Sequence, residues 1–269
     1  MTLAGGLGGA LLLLAAQPAP PPDPSQGPAA AAPHFQFAPP VGRPMTYRVT
    51  TRRIGRDASL ISFTLVYALQ WERAGRGFQL SATLQRIDSD AAPDVTRAVT
   101  LLLQPLVGEA TTYLVAADGS QVDLVDPEGL WERVTARMQA MGAAAGRPEA
   151  KQVAQLVAAL PAAERDRLAS ADIRALVAPA NRAIPAASTS FSATVSTMPS
   201  ATLRTITQVE HDAVPAGAAG QPLEIESLWT IDTATGLVMR DQRQSWITAA
   251  DGGERTLVED RSRALELAP

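Results

Sequence analysis

Few side chains in this sequence could carry acid–base, nucleophilic or metal chemistry. The 269 residues include two histidines, His34 and His211, and no cysteine. The absence of cysteine excludes disulfides, thiolate catalysis, thiolate metal sites and a lipid-modified N-terminal cysteine. The run Glu210-His211-Asp212 puts acid and base groups together, but neighbouring residues of a strand point to opposite faces. We predict a polar cluster at a strand end, because no G-x-S-x-G nucleophile motif accompanies it.

Acidic residues also cluster, in patterns that suit other roles better than catalysis. Asp88, Asp90 and Asp94 have the oxygen density of a calcium site, but without the spacing of an EF-hand loop, and we predict a connecting loop. Glu224 and Glu226 share one strand face, whereas a glycosidase needs two carboxyl groups across a cleft. We predict a solvated outer face there. No glycine-rich phosphate loop follows a predicted strand, so no cofactor and no metal site is expected.

The composition is that of a globular protein without a nucleic-acid partner. Hydrophobic residues make up 46% and charged residues 19%, and the net charge is −4 with a pI near 5.3. A nucleic-acid-binding domain normally carries a basic patch, and the sequence shows no basic cluster. The length is sufficient for one large or two small domains.

The N-terminal segment predicts export. Residues 3–16 form an apolar run of the length of a signal-peptide core, followed by small residues. A membrane span needs roughly 20 apolar residues, so we predict a signal peptide over residues 1–19, cleaved near Ala16 to Ala19, and no stable transmembrane span. An uncleaved anchor is the alternative. Residues 20–34 are rich in Pro and Ala and predict a disordered linker. The predicted location is the periplasm, or otherwise outside the cytoplasm.

The first part of the folded region reads as strands. Met45, Tyr47 and Val49 alternate with polar residues, and residues 95–103 predict a further strand. A long hairpin turns at 75–77 and has the clearest two-residue period in the chain. Its apolar positions are Phe63, Leu65, Tyr67, Leu69 and Trp71, followed by Phe78, Leu80, Ala82 and Leu84.

Residues 111–141 predict strand, turn, strand and a capped helix. Asp118-Gly119 favours a two-residue hairpin turn. Asp126 suits the N-cap position, and Pro127 suits the first helical position because its missing N–H would have been unpaired anyway. An apolar stripe at helical spacing follows, formed by Leu130, Val134, Met138 and Met141.

Further helices and then strands complete the chain. Residues 142–146 predict a break, residues 153–160 a second helix, and Ser170 to Asp172 the cap of a short later helix. Strands return from residue 191 and end in a meander with turns at 232–236 and 251–253. We predict one α+β domain over residues 35–269. Its curved, half-barrel-like antiparallel sheet carries a helical insertion at about 127–178, packed on its concave face.

A curved sheet with a helical lid can enclose either a dry core or an apolar ligand. Both alternatives remain open from the sequence. The candidate residues for lining a ligand cavity are Phe63, Leu65, Tyr67, Leu69, Phe78, Leu80, Leu130, Val134, Met138, Met141 and Trp229.

The C-terminal meander resembles a known family. The run TIDTATGLVMRDQRQSWITAADGGERTLVED, residues 230–260, is similar to the end of LolA/LppX-type periplasmic carriers. The resemblance implies an open half-barrel of antiparallel strands around a helical lid, which shields the acyl chains of lipids or lipoproteins. It implies a fold more than an activity, since no functional residue of the family maps onto this sequence.

We therefore expect an exported, non-enzymatic protein that holds an apolar ligand or lipid between its sheet and its helices. The first alternative is a structural or assembly partner of another cell-envelope protein, acting without a ligand. A hydrolase comes third, because no pair of base and nucleophile can be named.

Overall fold

A computed structural model of the chain describes residues 36–54, 60–90, 96, 103–144, 155, 159–177, 191–197, 203–213, 222–248 and 255–267. All of these residues belong to one compact unit, Pro33–Pro269. They form an α+β structure with an open antiparallel sheet and two helices.

The sheet has ten strands in the order β5-β4-β3-β2-β1-β10-β9-β8-β7-β6, and each neighbouring pair is antiparallel. The first and last strands of the chain therefore lie side by side in the middle. The strand bounds are Pro44–Ile54 for β1, Leu60–Ala74 for β2, Gly77–Ser89 for β3, Ala110–Val115 for β4, Val122–Leu124 for β5, Phe191–Thr197 for β6, Leu203–Ala213 for β7, Pro222–Asp232 for β8, Val238–Thr248 for β9 and Arg255–Leu267 for β10.

One face of strands β1 to β5 carries the main hydrophobic core, and we call it the apolar face. The residues directly opposite each other in a sheet share a face, so the register defines it as a series of rows across the strands. One row pairs Tyr47 with Tyr67, and the next pairs Val49 with Leu65. The burial pattern confirms the predicted alternation in β1 and β3, whereas in β2 Val66 on the opposite face is also buried.

Helix α1 spans Pro127–Ala144 and begins as the sequence predicts. The carboxylate of Asp126 accepts a hydrogen bond from the amide of Gly129 at 3.1 Å, which satisfies one of the unpaired amides of the first turn. The sequence predicted a break at Gly142, but the helix continues through this residue to Ala144, and Gly142 is buried. Its buried residues Leu130, Val134 and Met138 pack with the 3-10 turn Gln104–Leu106 through Leu106.

Helix α2 spans Ala162–Val177 without interruption, which corrects the prediction of a separate short helix capped at Ser170 to Asp172. The hydroxyl of Ser170 instead donates to the carbonyl of Asp166 at 2.7 Å, one turn earlier in the same helix. Ile173, Leu176 and Val177 join the hydrophobic cluster of the apolar face. Helix α2 thus contacts the sheet directly.

The turn between β4 and β5 is longer than the predicted two-residue turn. The amide of Ala116 donates to the carbonyl of Gln121 at 3.0 Å, which encloses four residues. Gly119 has a φ of 73°, whereas Asp118 is not left-handed, so the two-residue type that needs both residues left-handed cannot form. The carboxylate of Asp118 accepts hydrogen bonds from the amide and hydroxyl of Ser120 instead.

Residues 36–42 cross one end of the sheet, and we call them the closing segment. The amide of Ala38 donates to the carbonyl of Thr235 at 2.9 Å, in the β8–β9 turn. A Cβ added to Gly119, in the β4–β5 turn, would lie 3.0 Å from the ring of Phe37. One phenylalanine, whose Cα and Cδ2 lie only about 4 Å apart, therefore touches both turns.

This contact shows that the sheet is curved. Six strand spacings separate the β4–β5 turn from the β8–β9 turn, or about 29 Å in a flat sheet. A Cβ on Gly236 would lie 3.2 Å from the Cα of Phe37, so the two turns approach to about 10 Å. The ring of Phe37 packs edge-on against Trp71 at 5.7 Å and Phe78 at 5.4 Å, which places the closing segment on the apolar face.

Several predicted elements lie partly or wholly outside the described residues. These are the leader and linker over 1–34, the helix over 153–160 and the turn at 251–253. Thr96 and Leu103, the described residues of the predicted strand over 95–103, are helical. Among the described helices, none combines the length and hydropathy that a membrane crossing requires.

Candidate ligand-binding surface on the sheet

The structure divides the eleven predicted lining residues into a packed group and a partly exposed group. Those packed in the hydrophobic clusters, each at most 7% exposed, are Leu65, Leu69, Phe78, Leu80, Leu130, Val134 and Met138. The partly exposed ones are Phe63, Tyr67, Met141 and Trp229. The surface available to a ligand is therefore narrower than the full predicted set.

Trp229 and Met141 lie away from the main cluster. Trp229 packs against Ile231 and Val238 at the turn between β8 and β9. Met141 is the last residue of the α1 stripe and is half-buried, outside the cluster formed by the other three. Whether any of the eleven residues contacts a ligand stays a prediction.

Three partly exposed residues form one continuous apolar surface, which we call the open-end patch: Phe63, Tyr67 and Ile87. Leu65 lies between Phe63 and Tyr67 on the same face of β2 and pairs with Ile87 of β3. Along β2, Phe63 is about 26 Å from Trp71 and Tyr67 about 13 Å, so the patch begins near the middle of the strand and extends away from the closing segment. The closing segment thus covers one end of the apolar face, and the side chains of the open-end patch remain partly exposed toward the other end.

Helix α2 is attached to the sheet by tyrosine hydroxyl groups as well as by apolar contacts. The hydroxyl of Tyr47 donates to the carbonyl of Asp172 at 3.0 Å. The hydroxyl of Tyr113 donates to the carbonyl of Ala169 at 2.8 Å, one turn earlier. Each phenol buries its ring in the core and satisfies its polar end on the helix backbone.

Beside these tyrosines lies a network of ion pairs, which we call the arginine cluster: Asp172, Asp241, Arg261 and Arg263. The Oδ1 atom of Asp172 accepts from Arg261 Nη2 at 2.6 Å and from Arg263 Nε at 3.0 Å. Arg263 also binds Asp241 through its Nη1. The pair Arg263–Asp241 is well shielded, with 11% and 5% of the side chains exposed. The cluster thus joins α2 to the two strands β9 and β10.

Burial shifts the pKa values of the groups in this region. Desolvation raises the pKa of Tyr47 well above its ordinary value, and the charge of Asp172 adds to this effect. Desolvation likewise raises the pKa of Tyr67 and of Tyr113. Burial raises the pKa of Asp241 as well, because the cost of desolvation exceeds the attraction of Arg263.

The arginine cluster and the closing segment were not predicted from the sequence. Arg261, Arg263 and Leu265 lie two residues apart on one face of β10. This is the apolar face, because Leu265 pairs with Tyr47 of the neighbouring strand. In the sequence both faces of β10 carry charged residues, so the two-residue period does not reveal which face is buried. Phe37 precedes the first strand in a short segment flanked by Pro-rich sequence, and its partners in distant turns leave no signal in the sequence.

The polar candidates from the sequence have other partners. Asp88 binds Arg86 at 3.0 Å, Asp90 accepts from the amide of Ser62 at 3.1 Å, and Asp94 lies outside the described residues. Glu224 and Glu226 both pair with Arg255, at 2.7 and 2.8 Å, on the opposite face from the core.

Neither of the two histidines is placed by the structure in a candidate catalytic or metal site. His211 lies in β7, paired with Glu224, and His34 lies outside the described residues. Among the residues that the structure describes, no group of three or more His, Asp or Glu side chains is placed to hold a metal ion.

Comparison with known proteins does not identify a family. No family model matches the chain, and no curated protein matches it. Among solved structures, the chain is similar to one from Vibrio parahaemolyticus described as an outer membrane lipoprotein-sorting protein domain. The identity is 6% and the TM-score 0.17, over 84% of this chain and 85% of that chain, so this similarity supports no conclusion about fold or function.

Proposed function

We propose that this protein is exported and binds an apolar ligand or a lipid chain on the apolar face of its sheet, under its helices. The open-end patch is the observation that carries the proposal. Phe63, Tyr67 and Ile87 are continuous with the core but remain partly exposed. These partly exposed apolar side chains beside the core would provide contacts for an acyl chain.

The curvature supports the position of the ligand. The closing segment packs on the apolar face and joins two distant turns of the sheet, so this face is the inner one of the curve. Helix α2 contacts the same face and would therefore lie on the concave side. The ligand would occupy the end of this concave side that the closing segment leaves open.

Burial of acyl surface would supply the binding free energy. Each methylene group removed from water contributes about 0.8 kcal/mol, so about ten of them would give about 8 kcal/mol before the entropic cost of binding. No catalytic step is required for such a role. The proposed export rests on the apolar run of residues 3–16, and the periplasm is the compartment we propose.

Native mass spectrometry of the full chain with oleyl alcohol tests the proposal. We expect one alcohol molecule to be retained, and the variant Phe63→Gln to bind it about tenfold more weakly because an apolar contact is lost. The matched control is Leu228→Gln, which changes an apolar residue that is 39% exposed on the opposite face of the sheet. This control should bind as the unmodified chain does.

Two results would contradict the proposal. The first is no retained alcohol at any concentration that stays below aggregation. The second is an equal loss of binding in both variants, which would indicate nonspecific adsorption. Either result would favour the alternative of a cell-envelope assembly partner without a ligand.

A further inference from the structure

The arginine cluster lies directly beside the open-end patch. One row of the sheet runs from Arg243 through Arg261 and Thr51 to Phe63. Arg261 and Phe63 are thus separated by a single strand, with their Cα atoms about 10 Å apart. Thr51 between them is buried, so the guanidinium group and the aromatic ring border the same part of the apolar face.

Two hydrogen-bond donors at this place remain unused. Arg261 donates to Asp172 through Nη2, but its Nε is buried and has no partner in the part of the chain that the structure describes. The hydroxyl of Tyr67 likewise has no hydrogen-bond partner among the described residues, although that of Tyr47, on the neighbouring strand, has one. A buried donor without a partner, as Arg261 Nε is here, is unfavourable, and a ligand oxygen would satisfy it.

The charges of this region leave a positive excess. Asp172 and Asp241 face three guanidinium groups, those of Arg261, Arg263 and Arg243. A further charged pair of this face, Arg53 with Glu259, is bound at 2.5 Å. Arg243, Arg261 and Arg263 therefore exceed Asp172 and Asp241 by one positive charge within this cluster.

We propose that Arg261 and Tyr67 bind the head group of the ligand, and that the ligand is a single-chain amphiphile with an anionic head, a carboxylate or a phosphate. The acyl chain would contact Phe63 and Ile87, while a head-group oxygen accepts from Arg261 Nε and from the Tyr67 hydroxyl. This inference rests on the proposed function, because it assigns the ligand class of the same surface.

Equilibrium binding of oleate and of oleyl alcohol to the full chain, below their aggregation concentrations, tests the inference. The unmodified chain should bind oleate at least tenfold more tightly than the alcohol, since a charged hydrogen bond distinguishes the two. Arg261→Gln should abolish this preference, because it should weaken oleate binding at least tenfold more than it weakens binding of the alcohol. Oleoyl lysophosphatidate serves as the phosphate arm and should behave as oleate does.

Two further variants keep the test independent of folding defects. Tyr67→Phe keeps the ring but removes a hydroxyl that has no hydrogen-bond partner among the described residues, and it should weaken oleate binding about fivefold and binding of the alcohol by less. Arg48→Gln, the matched control, removes an exposed arginine paired with Glu266 on the opposite face and should change neither affinity. Continued binding of the alcohol shows that each variant is folded.

The outcomes separate this inference from the proposed function. Equal affinities for oleate and alcohol in the unmodified chain, or an equal effect of Arg48→Gln and Arg261→Gln, would overturn the head-group site and leave the apolar surface intact. Displacement of oleate by acetate or inorganic phosphate alone would also overturn it, because a free anion would then suffice. If neither oleate nor the alcohol binds, the proposed function itself fails.

Discussion

Raising the pH above 10 should unfold the protein through its tyrosines. The chain has three tyrosines, Tyr47, Tyr67 and Tyr113, and all three lie on the apolar face beneath α2. Desolvation raises each pKa above the ordinary value of about 10. The folded state therefore keeps its phenolic protons at a pH where the unfolded chain has lost them.

The magnitude follows from this difference in bound protons. The contribution of the protonated tyrosines to the free energy of unfolding is fully present below pH 10. It is lost as the pH rises toward the pKa values of the tyrosines in the folded state. Each tyrosine lowers the free energy of unfolding by up to about 1.4 kcal/mol per pH unit, so three lower it by about 4 kcal/mol per unit. A typical stability of about 5–15 kcal/mol would be largely consumed between pH 10 and about 12 or 13.

Tyrosine absorbance and circular dichroism, recorded together against pH, provide the assay. We expect phenolate to appear in one cooperative step that coincides with the loss of secondary structure. The variant Tyr67→Phe, which removes one titrating group, should reduce the slope of stability against pH by about one third. Ionisation of all three tyrosines near pH 10 with the fold intact would refute the buried position of the phenols.

Three substitutions test the contacts of the sheet. In urea unfolding, Asp172→Asn should lower the free energy of unfolding by about 3 kcal/mol, because two arginines lose their shared carboxylate. The control Glu164→Gln, in an exposed ion pair on the same helix, should lower it by less than about 0.5 kcal/mol. Gly236→Ala should lower the free energy of unfolding by about 1–2 kcal/mol more than Gly75→Ala does. Both glycines have positive φ, but a Cβ added at Gly236 would lie 2.8 Å from the Gln36 carbonyl oxygen, whereas a Cβ added at Gly75 would meet open space. Phe37→Ala should lower stability by about 3–5 kcal/mol and the thermal midpoint with it, because the ring is buried between two turns. Equal costs within either pair, or a neutral Phe37→Ala, would contradict the assigned contacts.

Local patterns predicted the elements whose signal is local. The β2–β3 hairpin and the N-cap of α1 by Asp126 depend on residues close in sequence, and the structure confirms both. The apolar stripe of α1 is confirmed through Met138 and weakens at Met141, near the end of the helix. The turn at Gly119 was predicted at the right place but with too few residues, because Asp118 is held by Ser120 rather than in the left-handed region.

Contacts distant in sequence could not be predicted in the same way. The bonds from Arg261 and Arg263 to Asp172 join residues 89 and 91 positions apart, and a single sequence contains no trace of such a pairing. The course of helix α2 through Ser170 also follows from packing, since a serine can cap a helix or donate to the preceding turn, and only its surroundings decide which. The candidate site thus combines an apolar surface that was predicted at Phe63 and Tyr67, but not at Ile87, with an unpredicted polar border.

Photocrosslinking with a long-chain alcohol that carries a diazirine near its end tests the central claim most directly. After irradiation of the full chain and proteolysis, mass spectrometry locates the adducts. We predict adducts in the peptides that contain Phe63 and Ile87, and competition by unlabelled oleyl alcohol. Adducts confined to the opposite face, for example around Leu228, or adducts that no competitor reduces, would contradict an apolar ligand site on the inner face of the sheet.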